Sequence, residues 1–176
     1  MVKRIQRNEI NALPDFLTNG NFVMMFGTIP GTASTKRLTL QCKSTSVPGV
    51  SIERLSQELA GFERGQAGGK TWSHSLSVTF AETKDLYVSK AIRAWMEWSR
   101  GTSTGLSVGD SGITTVNADI YVFDNNGELV KTCTLFKVFP TEFPDTEFQG
   151  GSAQALVETQ VTFGYDYSSN DEIVEL

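Results

Sequence analysis

Five groups of residues in this 176-residue chain are of types that could do chemistry. "GQAGGKT", residues 65 to 71, sets glycines, a lysine and a hydroxyl residue in the order of a phosphate-binding loop. That loop requires G-x-x-x-x-G-K-[ST], and here only Gln66, Ala67 and Gly68 separate Gly65 from Gly69, one residue too few. His74 is the only histidine, so a metal cluster built on histidines is excluded and a Ser-His-Asp site would have to run through this one residue. Glu142, Asp145 and Glu147 are the types of an acid–base pair, but no neighbour in sequence fixes their spacing or raises a pKa, so they read as solvated loop charge. Cys42 and Cys133 lie far apart without C-x-x-C spacing and read as buried reduced thiols. "DNNGE" (124 to 128) begins like a calcium loop but lacks the later ligands. The expectation is a protein without catalytic residues, metal ligands or cofactor, and not an enzyme.

Elements decide the first case. The residues after the glycine-rich stretch, "TWSHSLSVTF", alternate: Trp72, His74, Leu76, Val78 and Phe80 take one face, and Ser73, Ser75, Ser77 and Thr79 the other. A phosphate loop works by opening a helix, whose free N–H groups and dipole meet the anion, and a strand offers neither. Nucleotide binding is therefore rejected, and 65 to 71 becomes a mobile connection flanked by Arg64 and Lys70. His74 becomes a packed or interface residue of that strand.

Further strands are expected at 22–29, 36–43, 56–64, 114–124, 128–138 and 155–167, separated by turn formers such as "PGTAST" and "SVPG". Asn126-Gly127 predicts a type I′ turn, which makes 114–138 the clearest hairpin. One stretch has helical period: Val88, Ala91, Ile92 and Trp95 share a face over about 84–100, with Thr83 or Asp85 as cap and Lys90, Arg93 and Glu97 on the wet side. Trp95 and Trp98 are expected to seal that helix to a sheet. Residues 101–113 and 139–154 read as loops, the second holding Phe143 and Phe148, which must be buried on the chain itself or on a partner. The fold class is mainly β (α+β): an antiparallel β-barrel or sandwich of two packed sheets with one amphipathic helix.

Length allows one domain, and the 39% hydrophobic content supplies a core for it. A net charge of −5 argues against gripping nucleic acid through its phosphates. The opening "MVKRIQRNEINALPDF" is basic but has no apolar stretch for export, and "FVMMFG" is too short to span a bilayer, so a soluble product made in a cytosol, with no membrane partner, is expected. Lys3, Arg4 and Arg7 at one end and Asp171, Glu172 and Glu175 at the other put opposite charges on the two termini, which suits either joining one copy to the next or flexible solvated ends.

From "LTLQCKSTSVPGVSIERL" (38–55) onward the residues resemble a known family. With "IERLSQELAGFERGQAGGKTW", "SLSVTF", "AIRAWMEW", "FPTEF" and "VETQVTFGYDY", their order and spacing are similar to the tail tube protein of contractile-tailed, T4-like bacteriophages and to the tubes of other contractile injection systems, over about residues 20–167. The longer N-terminal lead, the longer 101–113 loop and the acidic end depart from that pattern. The resemblance implies a virion component assembled in the host cytoplasm. It implies hexameric rings stacked as the inner tube, in contact with sheath, baseplate and tail terminator proteins, with DNA passing through the lumen unbound. It implies one domain over 1–176, with an N-terminal arm (1–20), an extended inter-ring arm (44–71) and an acidic tail (168–176). Arg64, Gly65, Gln66, Gly68, Gly69 and Lys70 become inter-ring contact candidates; Lys3, Arg4, Arg7, Phe143, Phe148, Asp171 and Glu172 become subunit-contact candidates. Ser73, Ser75, Ser77, Glu158 and Gln160 become candidates for the lumen wall. A monomeric ligand-binding β-sandwich using the Trp95, Trp98 and 139–154 region is the alternative of another class.

Overall fold

Stretches of period two become strands in a computed structural model that describes residues 20–31, 34–59, 61–101, 104–106, 114–144 and 156–172, with the backbone alone given for residues 59 and 170–172. In chain order the elements are β1 (Phe22–Phe26), α1 (Thr35–Gln41), β2 (Cys42–Thr45), β3 (Val50–Leu59), β4 (Phe62–Trp72), β5 (Ser75–Ala81), α2 (Tyr87–Ser99), β6 (Val116–Phe123), β7 (Leu129–Glu142), β8 (Glu158–Gly164) and β9 (Tyr167–Glu172). Seven strands form one antiparallel sheet in the order β1-β6-β7-β8-β5-β2, with β9 paired to β7, and β3-β4 stands apart as a second sheet.

β7 folds the large sheet into two layers. Its first part, Lys131–Phe136, lies against β9, and Phe139 and Pro140 pair with β8. Between them Lys137 takes φ 54, the left-handed region that a lysine adopts only where neighbours enforce it. Here Asp166 is the enforcing neighbour: its amide donates to the Phe136 carbonyl at 3.0 Å, and its carboxylate meets the Lys137 Nζ at 2.9 Å. Met24, Phe26, Ala118, Ile120 and Leu135 from one layer then meet Leu76, Val78, Phe80, Val161 and Phe163 from the other. The amphipathic helix α2 closes this core with Val88, Ala91, Ile92 and Trp95. Trp95 is fully buried, stands edge-on to Phe26, and donates its indole N–H to the Thr114 carbonyl at 2.8 Å, so its one polar atom is satisfied.

Several sequence expectations change. The strand expected at 36–43 is instead α1 followed by β2. Leu38 and Leu40 look like one face of a strand, but only Leu38 is buried and Leu40 is 74% exposed. The turn of helix is held from outside: Arg37 lies 4.0 Å over the Tyr87 ring and pairs with Asp85 at 2.8 Å, and the Tyr87 hydroxyl donates to the Ser34 carbonyl. Among the described residues there are accordingly two helices, not one.

The strand expected at 56–64 and the mobile connection at 65–71 are both parts of the β3–β4 hairpin, which turns at Gly61 with φ 82. The loop expected from 139 begins as the end of β7, and residues 168–172, expected in a tail, belong to β9. Asn126 is not among the described residues with positive φ, so the β6–β7 turn is not type I′; Gly127 alone takes φ 86. The Asp124 carboxylate explains it, accepting from the amides of Asn126 and Glu128 at 2.8 Å each. Neither Thr83 nor Asp85 caps α2. Glu82 does, accepting from the amides of Val88 and Ser89 at 3.0 Å and from the Ser89 hydroxyl at 2.6 Å. Trp98, expected to seal the helix, is 40% exposed.

Candidate assembly surfaces

Because β5 and β8 pair antiparallel with Ser77 opposite Thr162, Thr79 opposite Gln160 and Ala81 opposite Glu158, their outward side chains form one continuous patch. Alternation buries Leu76, Val78, Phe80, Val161 and Phe163 and leaves Ser75, Ser77, Glu158 and Gln160 exposed. Gln160 Nε2 donates to Ser77 Oγ at 2.6 Å, Lys43 from β2 pairs with Glu158, and the Thr141 hydroxyl donates to the Thr162 carbonyl. Glu142, opposite Thr162, adds a further carboxylate. The surface is hydroxyl- and amide-rich, without aromatics, and its one lysine is matched by an acid. Four of the five lumen candidates therefore sit together. Ser73 lies apart, before β5 begins, with its hydroxyl donating to the Ser75 carbonyl and within 3.1 Å of the Tyr165 hydroxyl.

The hairpin β3–β4 is the opposite kind of surface. Among the described residues it pairs with no other strand, and all its described residues are exposed except Gly68 and Trp72, which are half-buried. Val50, Ile52, Leu55 and Phe62 are between 44% and 79% exposed. Arg64, Gly65, Gln66, Gly68, Gly69 and Lys70 all lie on β4. The pairing slips between Ile52–Lys70 and Arg54–Ala67, so Gly68 and Gly69 together oppose Glu53 as a β-bulge. A Cβ on Gly68 would stand 2.9 Å from the Glu53 carbonyl oxygen, which is why the bulge needs glycine there. The apparent phosphate loop is thus a bulged strand with its amides in a ladder.

A third feature was not legible in the sequence. Between α2 and the end of β7 runs a groove of about 820 Å³, floored by Met96, Phe139 and Pro140, with Arg93, Glu97 and Arg100 at its rim. The sequence placed Arg93 simply on the wet side of the helix. Its guanidinium in fact lies over the ring of Phe143, 5.4 Å from the centroid, and Phe143 is half-buried against its own chain's core. Arg100 Nε donates to the Gly105 carbonyl at 2.9 Å.

The remaining candidates are dispersed. Asp171 and Glu172 on β9 pair through their backbones with Thr132 and Lys131 on β7, and the other side of β9 pairs with no described strand. Lys3, Arg4, Arg7 and Phe148 lie outside the described residues. His74 is exposed rather than packed on the apolar face, and takes φ 50 at the corner where the hairpin meets β5, its Nδ1 3.2 Å from the Tyr165 carbonyl oxygen. Burial pushes the Cys42 thiol up to about 12 and raises that of Cys133, which keeps both protonated and inert. Among the described residues no group of three His, Cys, Asp or Glu could hold a metal ion, and no helix is long and apolar enough to cross a membrane.

Comparison with solved structures finds this fold in contractile injection machines. A PVC sheath/tube terminator in the extended state matches with TM-score 0.64 at 13% identity, over 91% of this chain and 99% of that one. A chain of the anti-feeding prophage baseplate, 6-fold symmetrised, matches at 0.63 and 14% identity, over 93% and 100%. A PVC sheath–tube complex matches at 0.57 and 13%, over 97% and 100%. No curated protein matches the sequence. Residues 13–170 match the phage tail tube protein family, whose members are structural tube components and not enzymes. With a match over nearly its whole length and this two-layered β fold, the chain belongs to the phage tail tube protein family.

Proposed function

We propose that this protein self-assembles into hexameric rings that stack as the inner tube of a contractile phage tail, forming the conduit for DNA ejection. The observation that carries this reading is the free hairpin. A two-stranded hairpin is marginal in water by itself, and this one exposes four large apolar side chains that no described residue of its own chain covers. A neighbouring copy supplies the missing cover. Ring closure follows from the edges of β1, β2 and β9 that no described strand pairs, which vanish when identical subunits continue one another's sheets around an axis.

The β5–β8 face supplies a wall of the required kind. Hydroxyls, amides and a matched Lys43–Glu158 pair offer DNA phosphates no cationic track, so the polymer slides instead of sticking. Sheath protein takes the outside of the tube, and baseplate and terminator proteins its ends, within a virion tail built in the host cytoplasm. Deleting residues 64–69 is expected to leave soluble, folded subunits that make no long tubes in negative-stain micrographs; normal tubes from that deletion would refute the role of the hairpin.

A second reading, the tube of a bacteriocin or secretion-type contractile injection system, is favoured by the fold's appearance in PVC and anti-feeding prophage structures. Purified particles containing this chain decide between the two: nuclease-protected DNA attached to the tail supports the phage, and its absence from intact particles the alternative.

A further inference from the structure

The hairpin tip and the α2–β7 groove are complementary in polarity and in sign, and they are not in contact within one chain. At the tip, Glu58 stands directly opposite Glu63 across the ladder, a like-charge pairing that destabilises a hairpin left alone in water. Arg54 reaches Glu63 at 3.4 Å, and Glu58 makes no ion pair among the described residues. The other face of the tip carries Phe62, 79% exposed. The groove has the converse: an apolar floor of Met96, Phe139 and Pro140, and a rim where Arg93 and Arg100 outnumber Glu97. No described hairpin residue lines the groove of its own chain. A volume of about 820 Å³ is of the size that encloses a drug-like ligand, enough for an aromatic ring and the turn that bears it.

We propose that the β3–β4 tip of one copy seats in the groove between α2 and β7 of another copy, with Phe62 on the Met96–Phe139–Pro140 floor and the Glu58–Glu63 pair against Arg93 and Arg100. This rests on the tube reading and names the receptor that reading leaves open. It assigns the two surfaces to each other: cover for the ring of Phe62, and cations for two opposed carboxylates, which a dry contact strengthens.

Full-length protein carrying Phe62→Cys together with Met96→Cys tests it under mild oxidation, since Cys133 is buried and the Cys42 thiol is held protonated. A covalent ladder between copies in assembled tubes, absent from dilute protein, is the expected result. In parallel, Arg93→Glu with Arg100→Glu is expected to cut tube yield by about tenfold or more, with an unchanged melt, and Glu58→Arg with Glu63→Arg in the same chain to restore it. Tubes that need the hairpin, yet form no ladder and ignore the groove charges, overturn the proposal and leave the tube reading standing. A Met96 cross-link to Phe148→Cys within single chains also overturns it, because the chain's own 145–155 segment would then occupy the groove. Wild-type protein that stays monomeric at high concentration overturns both readings together.

Discussion

In the β5–β8 pair, Leu76, Val78, Phe80, Val161 and Phe163 face inward and hydroxyls, amides and Glu158 face out. In the β3–β4 pair, Val50 and Ile52 share one face, Leu55 and Phe62 the other, and no described residue covers either. Both pairs use the same antiparallel ladder, so hydrogen bonding does not distinguish them. What differs is where their apolar area goes. The first buries it in the chain's own core and presents water with a surface that has nothing left to gain from a partner. On the proposed reading, the second keeps its apolar area for a neighbouring copy and is weakly held until that copy docks. In an assembling protein, stability and assembly are thereby written on separate strands.

Substitutions on the two pairs should therefore have separable readouts, and the largest effect is expected in the core. Phe163→Ala removes a ring packed on Phe26, Phe80 and Trp95 and should cost about 3–5 kcal/mol in denaturant unfolding of the monomer. Phe62→Ala should stay within about 0.5 kcal/mol in the same measurement while shortening tubes in micrographs. Equal losses from the two would break the comparison. Gly68→Val places a Cβ within 2.9 Å of the Glu53 carbonyl and should disrupt the bulge. Amide exchange of β3–β4 is expected to accelerate and tube yield to fall, with the melting temperature of the domain kept; a lowered melting temperature would mean that the hairpin supports the core after all.

A smaller effect should appear with pH. The Thr83 hydroxyl and then the Arg37 guanidinium hold the Asp85 carboxyl below the usual carboxylate range. Its contribution to stability is complete above that range and is lost as pH falls through the lowered value, because the unfolded chain takes up the proton first. Asp85→Asn should flatten that part of the acid melting profile, and an identical profile in the variant would remove the anchor from α1. Smallest of all, Gln160→Ala deletes one exposed hydrogen bond to Ser77 and should change unfolding by no more than about 0.5–1 kcal/mol.

Legibility followed burial. Where one face of a strand is inside, as from Leu76 to Phe80 or Val116 to Ile120, alternation in the sequence names the strand and its inward side. The helix face Val88–Ala91–Ile92–Trp95 was legible for the same reason. Of the β3–β4 hairpin only 56–64 was legible as a strand, because no described residue covers either face, so no periodic pattern was required of it, and its bulge of two glycines looks like a flexible link. α1 was missed because a two-residue alternation, Leu38 and Leu40, was broken by contacts from Tyr87 and Asp85 far along the chain.

Among the assembly candidates, hydroxyl residues on β5 and polar residues on β8 were visible separately. That they form one face depends on the register Thr79–Gln160, a pairing across about half the chain that no local pattern encodes. By itself the sequence determined the two-layered β class, the absence of a nucleotide loop and the family likeness, since these rest on local periodicity and residue order. Tertiary structure alone decided that β7 bends at Lys137, that the glycine-rich stretch is a strand, and that Arg93 and Arg100 rim a groove. Each of those is a meeting of segments distant in the chain, and only packing brings such segments within reach of one another.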